Sequence, residues 1–169
     1  KPVLGYFGVI DERIDYQLIA DLAAAFSTGS IVMVGPLAKV DPTELPKAAN
    51  VHWLGQRSYS DLPAFVKSFD VCLMPFALNE ATQYINPTKT LEYMAAGKPI
   101  VSTAVPDVVH NFTPIVKVAN SAEEFVNAAR QASESPDLEL INRGVDLAEA
   151  SSWDAVVAGM RSHMLDTLL

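Results

Sequence analysis

Short runs of uninterrupted apolar residues alternate along the chain with stretches in which apolar positions recur every three or four residues. The runs are Val3 to Gly8 (VLGYFG), Ser30 to Val34 (SIVMV), Val51 to Leu54, Asp70 to Met74, Ile100 to Thr103 and Ile115 to Val118. Each is short and bounded by Gly, Pro or polar residues, which predicts a buried strand. Asp15 is placed to cap a helix carrying Leu18, Ile19, Leu22 and Phe26, stopped by Gly29. A second helix starts near Ser58 or Ser60 and lines up Leu62, Phe65, Val66 and Phe69. Asp107 to Phe112 predicts a helical turn. Ser121 with Glu124 forms a capping box for a helix whose buried stripe is Ala122, Phe125, Val126 and Ala129. Two further helical segments cover Asp137 to Ala150 and Trp153 to Leu168.

Strands that are apolar throughout, alternating with amphipathic helices, predict a parallel sheet covered on both faces. The expected fold class is therefore α/β: a Rossmann-like, doubly wound parallel sheet of about six strands with helices on both faces and C-terminal helices, in strand order 3-2-1-4-5-6 with right-handed crossovers. Residues 1–169 read as a single domain. The Ser133 to Asp137 break is a turn between helices, and no internal repeat or linker interrupts the pattern.

One stretch, Asn86-Pro87-Thr88-Lys89-Thr90-Leu91-Glu92-Tyr93-Met94-Ala95-Ala96-Gly97-Lys98-Pro99, predicts a short helix with well-marked ends. Asn86 suits the N-cap, Pro87 the first helical position, and Gly97 with Pro99 the stop. Lys89 breaks the pattern, because a cation in the first turn opposes the helix dipole. Two readings stand on this stretch alone: Lys89 pairs with Glu92 on a solvated face, or it converges with the helix terminus on one anion, such as a phosphate.

Topology separates them. In a sheet of this order ligands bind outside the carboxyl ends of the strands, where the order reverses between strands one and four. The loops leaving those strands are Gly8 to Ile14 and Phe76 to Ile85, and the second leads into Asn86-Pro87. The anion reading gains from this agreement. Arg13 on the first loop can reach the same anion; its plainer reading is a solvated charge beside Asp11 and Glu12. Gly8 admits close backbone approach, or simply ends a strand. Glu92 is a candidate acceptor for sugar hydroxyls, against a solvated helix face. Gln56, Arg57 and Tyr59 follow strand three and can frame a base, with surface loop as the default.

The totals narrow the partners. Twelve basic residues against 20 acidic give a net charge of −8, which argues against a nucleic-acid partner. Half the residues are hydrophobic, as in a globular chain. Cys72 is the single cysteine and reads as a small buried hydrophobe, so no disulfide framework or cysteine zinc site forms within the chain. His52, His110 and His163 lack ligand spacing, and no metal site is expected. Trp53 and Trp153 read as packing residues. There is no complete G-x-G-x-x-G, Walker A loop or G-x-S-x-G. No run is long enough to span a bilayer and none resembles a signal peptide, so a cytoplasmic location is expected. A start at Lys1-Pro2, with a strand almost at once, reads as a domain cut from a longer protein.

The Asn86 to Val101 stretch resembles the donor-binding signature of retaining GT-B glycosyltransferases of the group-1 type. The likeness extends to Gly5-Tyr6-Phe7-Gly8, to Val51-His52-Trp53-Leu54-Gly55, to Leu62-Pro63 and to Asp70-Val71 through Pro75, nearly the whole chain. It implies a nucleotide-sugar donor domain forming the C-terminal half of a two-domain enzyme of polysaccharide biosynthesis. The other half, an N-terminal acceptor domain, lies outside the chain, and any membrane association would come through that missing part. The helix terminus would hold the diphosphate of the donor, with Asn86, Pro87 and Thr88 beside it, and Glu92 the ribose. Of the family's basic pair, Arg13 matches one member. Val9 stands at the other position, and Lys89 is taken as its substitute, so Arg13 and Lys89 are the expected catalytic pair. The family's second Glu, eight residues before Glu92, is here Tyr84. No cofactor is implied beyond the nucleoside-diphosphate sugar itself, and the domain alone would bind donor without transferring sugar. The alternatives are a sugar-nucleotide epimerase, for which no clear acidic set is present, and a non-catalytic α/β binding module. A receiver-like switch fits poorly, because Lys98-Pro99 precedes its strand instead of following it.

Overall fold

The computed structural model describes residues 2–167. Six strands form one sheet: β1 (Val3–Phe7), β2 (Ser30–Val34), β3 (Val51–Gly55), β4 (Val71–Met74), β5 (Ile100–Thr103) and β6 (Lys117–Ala119). All neighbours pair in parallel, in the order β3-β2-β1-β4-β5-β6, the order expected of the doubly wound fold. The central strands are the most apolar, and β4 and β5 are buried at every residue. Cys72 lies fully inside, where burial pushes its thiol far up, as a small core hydrophobe.

The helices are α1 (Tyr16–Ala25), α2 (Leu62–Ser68), α3 (Lys89–Ala95), α4 (Pro106–Phe112), α5 (Ala122–Glu134), α6 (Leu138–Ala150) and α7 (Trp153–Thr167). The sheet runs outward in two directions from β1. Right-handed crossovers therefore place α1 on one face and α2 and α3 on the other. α5 joins α1, and α6 lies against α3. Asp15 caps α1 by accepting from Leu18 N–H at 2.9 Å. At α5 the Ser121 hydroxyl accepts from Glu124 N–H at 3.1 Å, while the Glu124 carboxylate reaches past it to Asn120 N–H at 2.8 Å. Phe125, Ala128 and Ala129 form the buried stripe of α5, with Val126 half-buried; Ala122 is exposed.

Two further expectations are corrected, and one falls outside the described residues. The last strand begins two residues late, because Val116 N–H is taken by Phe112 O at 2.9 Å and the preceding residues complete the turn out of α4. Trp153 is 84% exposed on α7 and packs against nothing in the core, whereas Trp53 packs near Tyr16 and donates its indole N–H to Pro46 O. Leu168, the expected end of the last helix, lies outside the described residues. No helix among the described residues is long and apolar enough to cross a membrane.

Lys98 has a structural place. Its ammonium donates to Lys67 O at 2.8 Å and Phe69 O at 2.7 Å, satisfying carbonyls at the C-terminal end of α2. Lys98→Ala is expected to cost about 1–2 kcal/mol in urea unfolding, the range for charge-assisted bonds that are partly open to water.

Candidate functional site

The loops leaving β1 and β4 are stitched together. Ala77 N–H donates to Arg13 O at 2.8 Å and Asp15 N–H to Pro75 O at 2.9 Å, with a bridge between Ile14 and Phe76. This fixes Arg13 beside the chain that leads into α3. A cavity of about 200 Å³ opens there, lined by Tyr6, Val9, Arg13, Phe76 and Ile85, and by Asn86, Pro87, Thr88 and Lys89. Five of the residues expected at an anion site, Arg13 and Asn86 to Lys89, are thus gathered at the point where the strand order reverses.

The entry to α3 differs from expectation. Asn86 is not the cap. Pro87 O is taken by both the backbone N–H (3.0 Å) and the hydroxyl (2.8 Å) of Thr90, so the chain winds a tighter turn first. The regular helix begins at Lys89, with Thr88 in the cap position, already helical and making no side-chain cap bond. A helix of seven residues carries little dipole, so the positive character of the cavity rests on the side chains of Arg13 and Lys89.

Lys89 does not pair with Glu92. Among the described residues it makes no ion pair and no hydrogen bond; its ammonium lies over the rings of Tyr6 (5.4 Å) and Phe76 (5.3 Å). Burial and the nearby charge of Arg13 hold its pKa below the ordinary lysine range. Arg13 is gripped by Asp11: Nη2 to Oδ2 at 2.6 Å, and Nε to both carboxylate oxygens at 3.0 Å. Burial raises the Asp11 carboxyl, but its hydrogen bonds from Arg13 outweigh that and keep it below the usual carboxylate range. So the plainer reading of Arg13, as the neighbour of Asp11, holds together with its place in the cavity. Glu12 instead lies 3.9 Å from Lys39. Gly8 has φ +142°, which favours glycine, and a Cβ there would crowd Tyr6 Oη at 2.8 Å and Lys89 Cε at 3.0 Å, where the Lys89 stem crosses the end of β1.

One turn along α3, Glu92 lines a second, mostly apolar cavity of about 310 Å³ with Phe7, Tyr59, Leu62, Pro63, Val66, Ala95 and Ala96. Glu92 lies three positions along α3 from Lys89, an axial rise of about 4.5 Å. Glu92 Oε1 accepts from the Tyr59 hydroxyl at 3.2 Å. Gln56 and Arg57 are exposed and lie outside both cavities, as does Tyr84, which is 87% exposed. Of the aromatic walls, Tyr6 and Phe7 read only as strand residues and Phe76 only as the start of the loop after strand four; their position at the carboxyl ends of β1 and β4 was the available signal. Among the described residues no group of three His, Cys, Asp or Glu gathers as a metal site would require.

Residues 1–135 match the family model described as glycosyl transferases group 1. TuaH of Bacillus subtilis (strain 168), assigned as a teichuronic acid biosynthesis glycosyltransferase, is 32% identical over 117 residues, which cover 68% of this chain and 30% of TuaH. Among solved structures, Anabaena HepE in complex with UDP and glucose superposes with a TM-score of 0.75 at 16% identity, over 99% of this chain and 48% of HepE. WaaG, a glycosyltransferase involved in lipopolysaccharide biosynthesis, gives 0.68 at 20% identity over 90% of this chain and 44% of WaaG. The chain therefore spans about a third of its curated relative and about half of these solved chains.

Proposed function

The chain belongs to the group 1 glycosyl transferases, and from that membership we propose that it is the domain that binds a nucleoside-diphosphate sugar donor. The observation that carries the proposal is the half-buried Lys89 ammonium, which among the described residues has no acceptor, beside Arg13 in one polar cavity. A cation that has lost water and gained only ring faces, with no hydrogen-bond acceptor, costs free energy, and a bound anion relieves that cost. Two cations facing one small space suit two linked phosphates. The neighbouring cavity suits the rest of the ligand: apolar walls for a base, and the Glu92 carboxylate as acceptor for ribose hydroxyls. HepE, which shares the fold, has been crystallised with UDP and with UDP-glucose.

In the reaction the nucleoside diphosphate is the leaving group. Arg13 and Lys89 would neutralise the charge that grows on it as the bond to the anomeric carbon breaks, and their fixed positions mean little reorganisation at that moment. Asn86, Pro87 and Thr88 would frame the phosphates, and Gly8 would leave room for them. The acceptor would be held by a further, N-terminal domain of the same protein, and transfer would proceed with retention at the anomeric carbon. Neither cofactor nor metal enters this scheme, because side chains supply the positive charge. Gln56, Arg57 and Tyr84 have no role in it.

Calorimetric titration with UDP, GDP and ADP tests the proposal. At least one is expected to bind with a stoichiometry near one. No heat with any of the three, on protein shown to be folded, removes the donor-binding reading.

A further inference from the structure

The apolar cavity between α2 and α3 has one acceptor on its wall, and that acceptor is already engaged. Tyr59 stands in a three-residue turn, Tyr59–Asp61, just ahead of α2. Its side chain is 76% exposed, yet its hydroxyl reaches across 33 residues of sequence to Glu92 Oε1 at 3.2 Å. Both residues line the cavity, with Phe7, Leu62, Val66 and Ala95 around it. The contact therefore closes the polar part of a cavity that is otherwise empty space between apolar walls. Residues 56–61 are exposed throughout, so the turn that carries Tyr59 is not anchored in the core.

Resting on the donor-binding reading, we infer that Tyr59 is a latch on the nucleoside half of the site: its hydroxyl holds the Glu92 carboxylate in the unliganded protein and gives it up to the hydroxyls of the incoming nucleoside. An ionised carboxylate only accepts hydrogen bonds. Tyr59 offers it one donor, whereas the adjacent 2′ and 3′ hydroxyls of a ribose offer two. The Tyr59–Glu92 bond is open to water and contributes little by itself, so the nucleoside displaces it. Breaking it is nevertheless subtracted from the affinity of every ligand that needs Glu92. A ligand that fills only the Arg13–Lys89 cavity leaves the latch closed and does not bear that cost. Tyr59 is thus a positioning residue whose latch narrows the margin by which a ligand carrying a nucleoside binds more tightly than free diphosphate.

Titration of the protein and of Tyr59→Phe with UDP, GDP, ADP and pyrophosphate tests this. Tyr59→Phe keeps the exposed ring and removes the donor, so folding is unaffected, which a thermal melt checks. The nucleotide that binds the unaltered protein best is expected to bind Tyr59→Phe roughly threefold more tightly, the size of one weak hydrogen bond no longer displaced. Pyrophosphate is expected to bind both equally. If the variant binds nucleotide with unchanged or lower affinity, the latch is overturned while donor binding stands. A pyrophosphate affinity that rises in step with that of the nucleotide overturns it too, because the change then does not belong to the nucleoside end. If the unaltered protein binds none of the three nucleotides, the donor-binding reading fails and the latch fails with it.

Discussion

Lys89→Met is expected to weaken nucleoside diphosphate binding by about 1–3 kcal/mol, roughly five- to 150-fold, without lowering the stability of the fold. Two effects set the first part. The ammonium is half-buried and has no acceptor among the described residues, so a phosphate gains a charge-assisted bond that no internal group competes for. Arg13, by contrast, shares its charge with Asp11 and contributes less. The stability side follows from the sign of the pKa shift. Burial and Arg13 depress the Lys89 pKa, so the folded protein holds this proton less readily than the unfolded chain. The charged form costs stability at every pH below the folded pKa, and that cost fades as pH rises toward the unfolded value near ~10.4. Methionine removes the cost and still fills the space over Tyr6 and Phe76, offsetting the lost cation–π contacts. Calorimetry on Lys89→Met and Lys89→Ala, with urea melts at pH 7 and pH 9.5, measures both parts. Unaltered affinity in a folded variant would contradict the assignment of the phosphate position.

The order of the strands was readable because it depends on pattern alone. Val3 to Gly8, Ser30 to Val34, Asp70 to Met74 and Ile100 to Thr103 are apolar on both faces, and only a covered parallel sheet accommodates such runs. The meeting of Arg13 and Lys89 in one cavity was readable for the same reason: topology brings the loop with Arg13 to the loop before Lys89. The details that escaped are those in which a second partner, local or distant, competes with the expected one. Asn86-Pro87 reads as a helix start, but Thr90 takes the Pro87 carbonyl first. Lys89 and Glu92 have pairing distance on a helix, but Glu92 meets Tyr59 and Lys89 turns toward Tyr6 and Phe76. Tyr59 was grouped with Gln56 and Arg57 as one loop, and only the tertiary structure separates the residue that reaches α3 from the two that do not. Trp153 read as a packing residue, yet α7 presents it outward.

Gly35→Ala is expected to be strongly destabilising, costing about 3 kcal/mol or more. Nothing in the strand pattern required this of Gly35, which read as a plain strand end. In the fold its φ is +149°, and a Cβ there would lie 1.8 Å from Gly8 O and 2.7 Å from Gly8 C. Backbone cannot yield at such a distance as a side-chain tip can, and here it is held on both sides. Gly8 N–H donates to Val34 O and Gly35 N–H to Gly55 O, both at 2.9 Å, and Ile10 N–H donates to Pro36 O at 3.0 Å. The loops after β1 and β2 are thus clamped together, and the added methyl group must force them apart. Because Gly8 sits against Tyr6 and the Lys89 stem, the displacement reaches the Arg13–Lys89 cavity. Gly55→Ala separates this clash from backbone strain. Gly55 also has positive φ (+68°), but a Cβ there meets nothing within 4 Å, so only strain of about 1 kcal/mol is expected. Urea melts of the two variants should differ by at least ~2 kcal/mol, with nucleotide binding weakened in Gly35→Ala and preserved in Gly55→Ala. Equal, mild destabilisation would mean that the ends of β1 and β2 have slack, and that the position of Lys89 is set from α3 alone.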